Sequence, residues 1–262
     1  MIRWPDEQQK QTIHTSLSIN RFFLSRLGQP RLQVGVVLAA LGVSACGIVS
    51  SNILDKTFAL GDRKFGVDFG NTTGKVPSVA CSSAGDPTCA TLASQVTVSG
   101  GTTSGVCDTA ARTCYANIAI TKSTPITLSN EPSFAQTVGA KAITIVKAIE
   151  IQYTTNNAST VSLPDLNLYI GPETAKTAKD NGVVLIGKIP AIAANTQLKE
   201  PGKIVVPSGT PAFERFSYYL QNAKVPFNLL VEAAPTVRAG NDLPKGVLDV
   251  TVTPAFTVGI PL

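Results

Sequence analysis

Hydrophobic and polar positions alternate most regularly in the last 120 residues. Ala142 to Tyr153, AITIVKAIEIQY, sets Ile143, Ile145 and Lys147 on one side before Ile149, Ile151 and Tyr153 resume a period of two. That period predicts a long strand buried on one face. Asn156-Asn157-Ala158-Ser159 turns the chain, and Val161 to Ile170 returns with a change of parity near Pro164, the mark of a bulge or an edge. Further strands are predicted at 183–190, 203–206, 227–233 and 247–258, the last interrupted by Pro254. Upstream, 57–60 and 64–69 read as strands, 94–98 as a short one, and 107–121 as a hairpin with 115–120 as its second arm. Only one segment has a full helix signature. Thr210 stands at an N-cap, Pro211 at the first helical position and Glu214 in the first turn, with Phe213, Phe216 and Leu220 as the apolar stripe. The fold class expected is mainly β, an antiparallel β-sandwich or barrel-like body with one short helix near 211–222.

One apolar stretch breaks this pattern. Leu32 to Ala45 carries no charge, follows Arg21, Arg26 and Arg31, and ends in small residues before Cys46. Basic, apolar and then small residues is the layout of a secretory signal. The run is too short for a spanning helix, which needs about 20 apolar residues. Its end, Val43-Ser44-Ala45-Cys46, resembles the lipobox of bacterial lipoproteins. The resemblance implies cleavage before Cys46 and lipidation there by a thioether-linked diacylglycerol and an amide-linked acyl chain such as palmitate. It also implies a membrane partner through that lipid. Gly47 follows, where an Asp would favour the inner membrane, so the outer membrane is expected. The polar stretch 1–20 makes a long leader, and a start near Leu24 or Leu27 would give a more ordinary one.

This reading organises the chain as leader and signal peptide (1–45), lipidated tether (46–56), a disulfide-bearing β/loop region (57–125) and a β-sandwich region (126–262), the last two as one continuous domain. It also changes the chemistry. The formal charge of +5 falls to 17 basic against 15 acidic residues, a balance of +2, once residues 1–45 are removed. No Lys/Arg cluster remains, so no nucleic acid partner is expected. The sole His14 and Trp4 go with the leader. Without histidine there is no Ser-His-Asp or Cys-His relay and no His-ligated metal site.

Of the five cysteines, Cys46 is assigned to lipid. Cys81, Cys89, Cys107 and Cys114 are then expected as two disulfides of an exported chain. Three pairings exist, and the short turn-rich loops favour Cys81 with Cys89 and Cys107 with Cys114. A four-thiolate zinc site is the competitor, but the usual C-x2-4-C spacing is missing. No metal or other cofactor is expected. Residues 76–114 are rich in Gly, Ser and Thr, and the run Ser99 to Gly105 reads as a loop. Residues 70–74 read as a plain turn, not a phosphate cradle, and 239–246 as a solvated turn, not a calcium loop. Tyr218 and Tyr219 fit helix-to-sheet packing better than a ligand platform.

The C-terminal half resembles the β-sandwich of late-embryogenesis-abundant and water-stress/hypersensitive-response proteins, through AIEIQYTTNNAST, LNLYIG, VLIGKIPAI and VLDVTVTPAFTVGI. That family's Asn-Pro pair is absent, since Ala158 follows Asn157. The resemblance implies a binding module and no enzyme. A non-catalytic, lipid-anchored envelope protein with a structural role, or one that binds another envelope protein or component, is therefore expected. A carrier of an apolar ligand and a paired-carboxylate hydrolase are the alternatives.

Overall fold

The spine of the molecule is a pair of long strands whose alternation survives end to end. In the computed structural model, which describes residues 52–139, 141–198 and 200–262, β5 (Ile145–Asn157) and β12 (Val247–Pro261) pair antiparallel from Leu248 opposite Asn157 to Gly259 opposite Ile145. Along the other edge of β12 lie β1 (Ile53–Ala59) and β2 (Arg63–Asp68), end to end. The free edge of β5 is likewise shared by β9 (Gly202–Val205) and β8 (Thr196–Gln197). Four residues assigned to the tether, 53–56, thus belong to β1.

Proline in a central strand removes a ladder donor and is normally excluded there. Pro254 is tolerated because its nitrogen faces the break between β1 and β2. Pairing stops at Ala59 opposite Ala255 and restarts at Arg63 opposite Val252, and between them the Pro254 carbonyl accepts from Leu60 N–H at 2.8 Å. The strand therefore continues through Pro254 to Pro261.

The parity of β5 also departs from the expected one at its start. Val146 is buried and Ile145 is 45% exposed, the reverse of simple alternation. A bulge explains this: Thr257 pairs with Ala148 and Val258 with Val146, leaving Lys147 as the extra residue. Its ammonium reaches Asp55 on β1.

The second sheet is built on β4 (Thr113–Ile126), which pairs with β3 (Gly101–Asp108) on one side. On the other side lie β10 (Phe227–Ala233) and β11 (Thr236–Arg238), followed by β6 (Leu166–Pro172) and β7 (Val184–Ile189). Residues from both halves of the chain therefore share this sheet. Two expectations fail in this region. The glycine-rich run is a strand from Gly101 onward, and 94–98 is no strand because Thr88–Gln95 forms a helix, α1. The two facts have one cause. A Cβ at Gly105 would come within 1.8 Å of the Cys89 carbonyl oxygen, so the glycine lets α1 lie directly on the hairpin.

The two sheets face each other across one apolar core, a sandwich. Phe58 and Phe256 from the first sheet and Phe227 from the second meet around Phe216 of α3 (Pro211–Gln221), with ring centroids 5.5–6.2 Å apart. A third helix, α2 (Pro132–Val138), adds Phe134 edge-on to Phe58. Among the described residues there are thus three short α-helices where one was expected. At the start of α3 the Thr210 hydroxyl accepts from Phe213 N–H at 3.3 Å, satisfying one of the unpaired donors of the first turn. Thr210→Ala is expected to lower stability by about 1 kcal/mol, read as a fall in urea midpoint at unchanged m-value.

Asn157 closes the far end of β5. Fully buried, its amide donates to the Val161 and Ala193 carbonyls at 2.8 and 2.9 Å and accepts from Ser159 N–H and hydroxyl. Every polar atom of that side chain is satisfied, partly within the turn and partly by Ala193, so it holds two loops together.

Candidate functional site

Two regions of the body bring chemistry-bearing side chains together. The first holds the cysteines. Cys107 and Cys114 stand directly opposite each other across the β3–β4 hairpin, yet neither bonds to the other. Cys107 is joined to Cys81 and Cys114 to Cys89, with Cα separations of 5.8 and 5.3 Å. The pairing of Cys81 with Cys89 and of Cys107 with Cys114 is thus corrected. The reason is three-dimensional: Cys107 and Cys114 point to the same face of the hairpin, where α1 and the segment before it lie, and both outer cysteines come down onto them.

All four are buried, and the sulfurs of Cys81, Cys89 and Cys114 lie within 4.8 Å of one another. In the bridged state they carry no thiolate charge to offer a zinc ion. Asp86 fixes the turn between Cys81 and Cys89. Its carboxylate accepts from Thr88 hydroxyl and N–H at 2.6 and 3.0 Å and from Ser82 N–H at 2.9 Å. Hydrogen bonds from Thr88 first, then Ser82, hold its pKa far below the ordinary carboxylate range. With the folded pKa depressed, this contribution is present above the unfolded value and is lost as pH falls through the folded one.

The second region is a cleft of about 780 Å³ on the outer face of the second sheet. Its floor is one cross-strand row: Glu232 of β10 pairs with Thr121 of β4 and with Asn167 of β6. Gly100 to Thr102 form one wall, and Thr177 and Lys179 another. The latter belong to the loop 173–183, which folds across the sheet. Buried Asn228 donates to the Glu173 and Ala175 carbonyls at 2.7 and 2.9 Å, and Asp180 accepts from Lys176 and Thr177 N–H.

Glu232 ties that loop to the floor by accepting from Ala178 N–H at 3.0 Å, with the Thr121 hydroxyl at 3.4 Å. Burial, and then the Glu232 charge, raise the pKa of the neighbouring Tyr169. Asp165 lines the same cleft, but it accepts from Ala191 N–H at 3.1 Å and lies 3.9 Å from the Lys188 ammonium. Both acids hold backbone in place. Glu232→Ala is expected to raise hydrogen exchange at Ala178 roughly tenfold, the loss of one charge-assisted bond of about 1.5 kcal/mol, with exchange at β5 unchanged.

The other sequence candidates resolve individually. Cys46 and the signal segment lie outside the described residues. Tyr219 is buried and stacks on Phe227 at 4.7 Å, whereas Tyr218 is about half exposed. In the 239–246 loop, Asp242 pairs with Lys75 at 2.7 Å, which lowers its pKa. Glu232, Asn167, Thr121 and Lys179 were not singled out from sequence. Their only local signal is two polar residues, Asn228 and Glu232, spaced by four on one face of the mostly apolar FNLLVEA.

No family model and no curated protein matches the chain. Among solved structures, the chain is similar to carbohydrate-binding modules of the β-sandwich superfamily at 8% identity and a TM-score of 0.24, covering 76% of this chain and 54% of that one. It thus spans about half the length of that structure. Desmodium yellow mottle tymovirus matches at 7% identity and 0.22, covering 97% of each chain. Mud crab dicistrovirus matches at 12% and 0.27, covering 97% of this chain and 90% of that one. At these values none of the three bears on what this chain does.

Proposed function

We propose that the chain is a non-catalytic envelope protein, held to the bacterial outer membrane by lipid on Cys46, whose β-sandwich binds another envelope protein or component. The observation that carries this reading is the sequence layout at 32–46: an uncharged apolar run preceded by arginines and ending Val43-Ser44-Ala45-Cys46. Two buried disulfides downstream agree with an exported chain, because such bonds persist in oxidising compartments. The cleft over Thr121, Glu232 and Asn167, with Lys179 on its wall and Ile120, Pro164 and Ala233 in a lining that is in larger part apolar, supplies a concave surface for a partner that offers both apolar and polar groups. The two acids of the cleft are engaged in holding backbone, which favours binding over hydrolysis. The space between the sheets is occupied by Phe58, Phe216, Phe227 and Phe256, which does not favour the apolar-carrier reading.

Detergent phase partitioning tests the anchor. The wild-type chain is expected in the detergent phase, and Cys46→Ser or globomycin treatment is expected to move it to the aqueous phase or leave an unprocessed precursor. Unaltered partitioning and mass would contradict the anchor. Crosslinking and pull-down of the native, membrane-extracted protein tests the partner. Recovery of one envelope component, reduced by Lys179→Glu, is expected, and undiminished recovery would remove the cleft from the account.

A further inference from the structure

The end of the sandwich where β1 begins leaves apolar side chains uncovered. Ile53 and Leu54 of β1 are 37% and 40% exposed and Ile145 of β5 is 45% exposed; Leu262 beside them is 72% exposed. They form one patch by register. Ile53 lies opposite Pro261, and Ile145 opposite Gly259. A Cβ on Gly259 would meet Ile53 Cγ2 and Ile145 Cγ2 at 2.6 Å each, so these two side chains close over the glycine from neighbouring strands. Leu54 turns to the opposite face at the same corner, so the patch wraps the edge of the sheet. Lys56 is exposed on the same strand, and Lys141 donates to the Pro261 carbonyl at 2.9 Å. Asp55, opposite Gly259 at the same corner, is paired with Lys147, so Lys56 and Lys141 leave the rim with a net positive charge.

The tether limits where this corner can go. Five residues, Gly47 to Ser51, lie between Cys46 and Asn52, the residue before β1, so the two are six residue steps apart. At 3.3–3.6 Å per residue the fully extended chain reaches about 20 Å. We infer that this corner of the sandwich, Ile53, Leu54 and Ile145 with Lys56 and Lys141 at its rim, docks directly on the lipid surface and sets the body's orientation on the membrane. The inference rests on lipidation of Cys46. Apolar side chains at such a boundary sit about 5–10 Å into the headgroup region, and lysines beside them are drawn to anionic lipid. In this orientation β5 runs away from the bilayer, and its far end, where Leu198 N–H bonds to the Thr155 carbonyl, lies ten residues and about 33 Å further out.

Tryptophan quenching by brominated lipid tests this in the full chain. The membrane-extracted protein, in a Trp4→Phe background with one probe at Ile145→Trp, Leu54→Trp or Leu198→Trp, is reconstituted into vesicles of phosphatidylethanolamine and brominated phosphatidylglycerol. Quenching at the 145 and 54 probes is expected to exceed that at the 198 probe by about twofold or more, given the burial depth above. Vesicle flotation of all three variants with equal quenching would overturn docking while leaving the anchor intact. Failure of the variants and the unsubstituted chain to float would overturn the anchor and the docking together. The two probe positions on different strands report independently, so a folding defect in one variant does not decide the result.

Discussion

Phe256→Ala is expected to destabilise the protein by about 3–5 kcal/mol, the largest effect of any single side chain discussed. Phe256 is 1% exposed and sits in the middle of β12, opposite Phe58 on one side and Ile149 on the other. It is also the residue on which α3 rests, with Phe216 at 5.6 Å. Removing the ring therefore unpacks both neighbouring strands and the helix at once. The cavity cannot collapse easily, because β12 is held by strands on both edges and the backbone cannot move inward without breaking ladder bonds. Aromatic pairs contribute about 0.5–1.5 kcal/mol beyond area burial, which places this site toward the upper end of the range. Urea unfolding with Phe256→Leu as the conservative partner checks it. A loss under about 1.5 kcal/mol for the alanine variant would mean that the two sheets do not meet through this ring.

Cys89→Ala combined with Cys114→Ala is expected to cost roughly 3.5 kcal/mol. The bridge spans 25 residues of sequence, and closing a loop of that length removes this much entropy from the unfolded chain. Alanine is the proper replacement because both positions are essentially buried, and serine would add an unsatisfied hydroxyl. The effect on removing both bridges is expected to fall short of twice this figure, since the loops 81–107 and 89–114 overlap. Non-reducing peptide mapping gives a second readout. Linked fragments joining Cys81 to Cys107 and Cys89 to Cys114 are expected, and links within the short loops would contradict the placement of α1 on the hairpin.

What was legible in the sequence follows from how local its cause is. The buried face of β12 and the cap and stripe of α3 are set by neighbouring residues, and the alternation and the Thr210-Pro211 pair reveal them. β1 is an edge strand at a corner with only Phe58 buried, so no alternation marks its first four residues. β3 was hidden because Gly105, which reads as loop composition, answers to α1 packing on the strand. Spacing alone contained a clue to α1: Cys89, Leu92 and Val96, all buried, recur at helical intervals. The favoured disulfide pairing failed because the short loops, though cheap to close, say nothing about which segment lies over the hairpin. The cleft was out of reach in principle. Thr121, Asn167 and Glu232 are brought side by side by strand register between distant segments, and register is a property of the sheet.

Mass spectrometry of the N-terminal peptide of the mature protein, purified from membranes, decides whether the chain is cut and lipidated at Cys46. The expected chain begins at Cys46, lacks residues 1–45 and carries the added mass of a diacylglycerol and an acyl chain on that residue. A mature protein that retains the preceding residues, or whose Cys46 is an unmodified thiol, would contradict it.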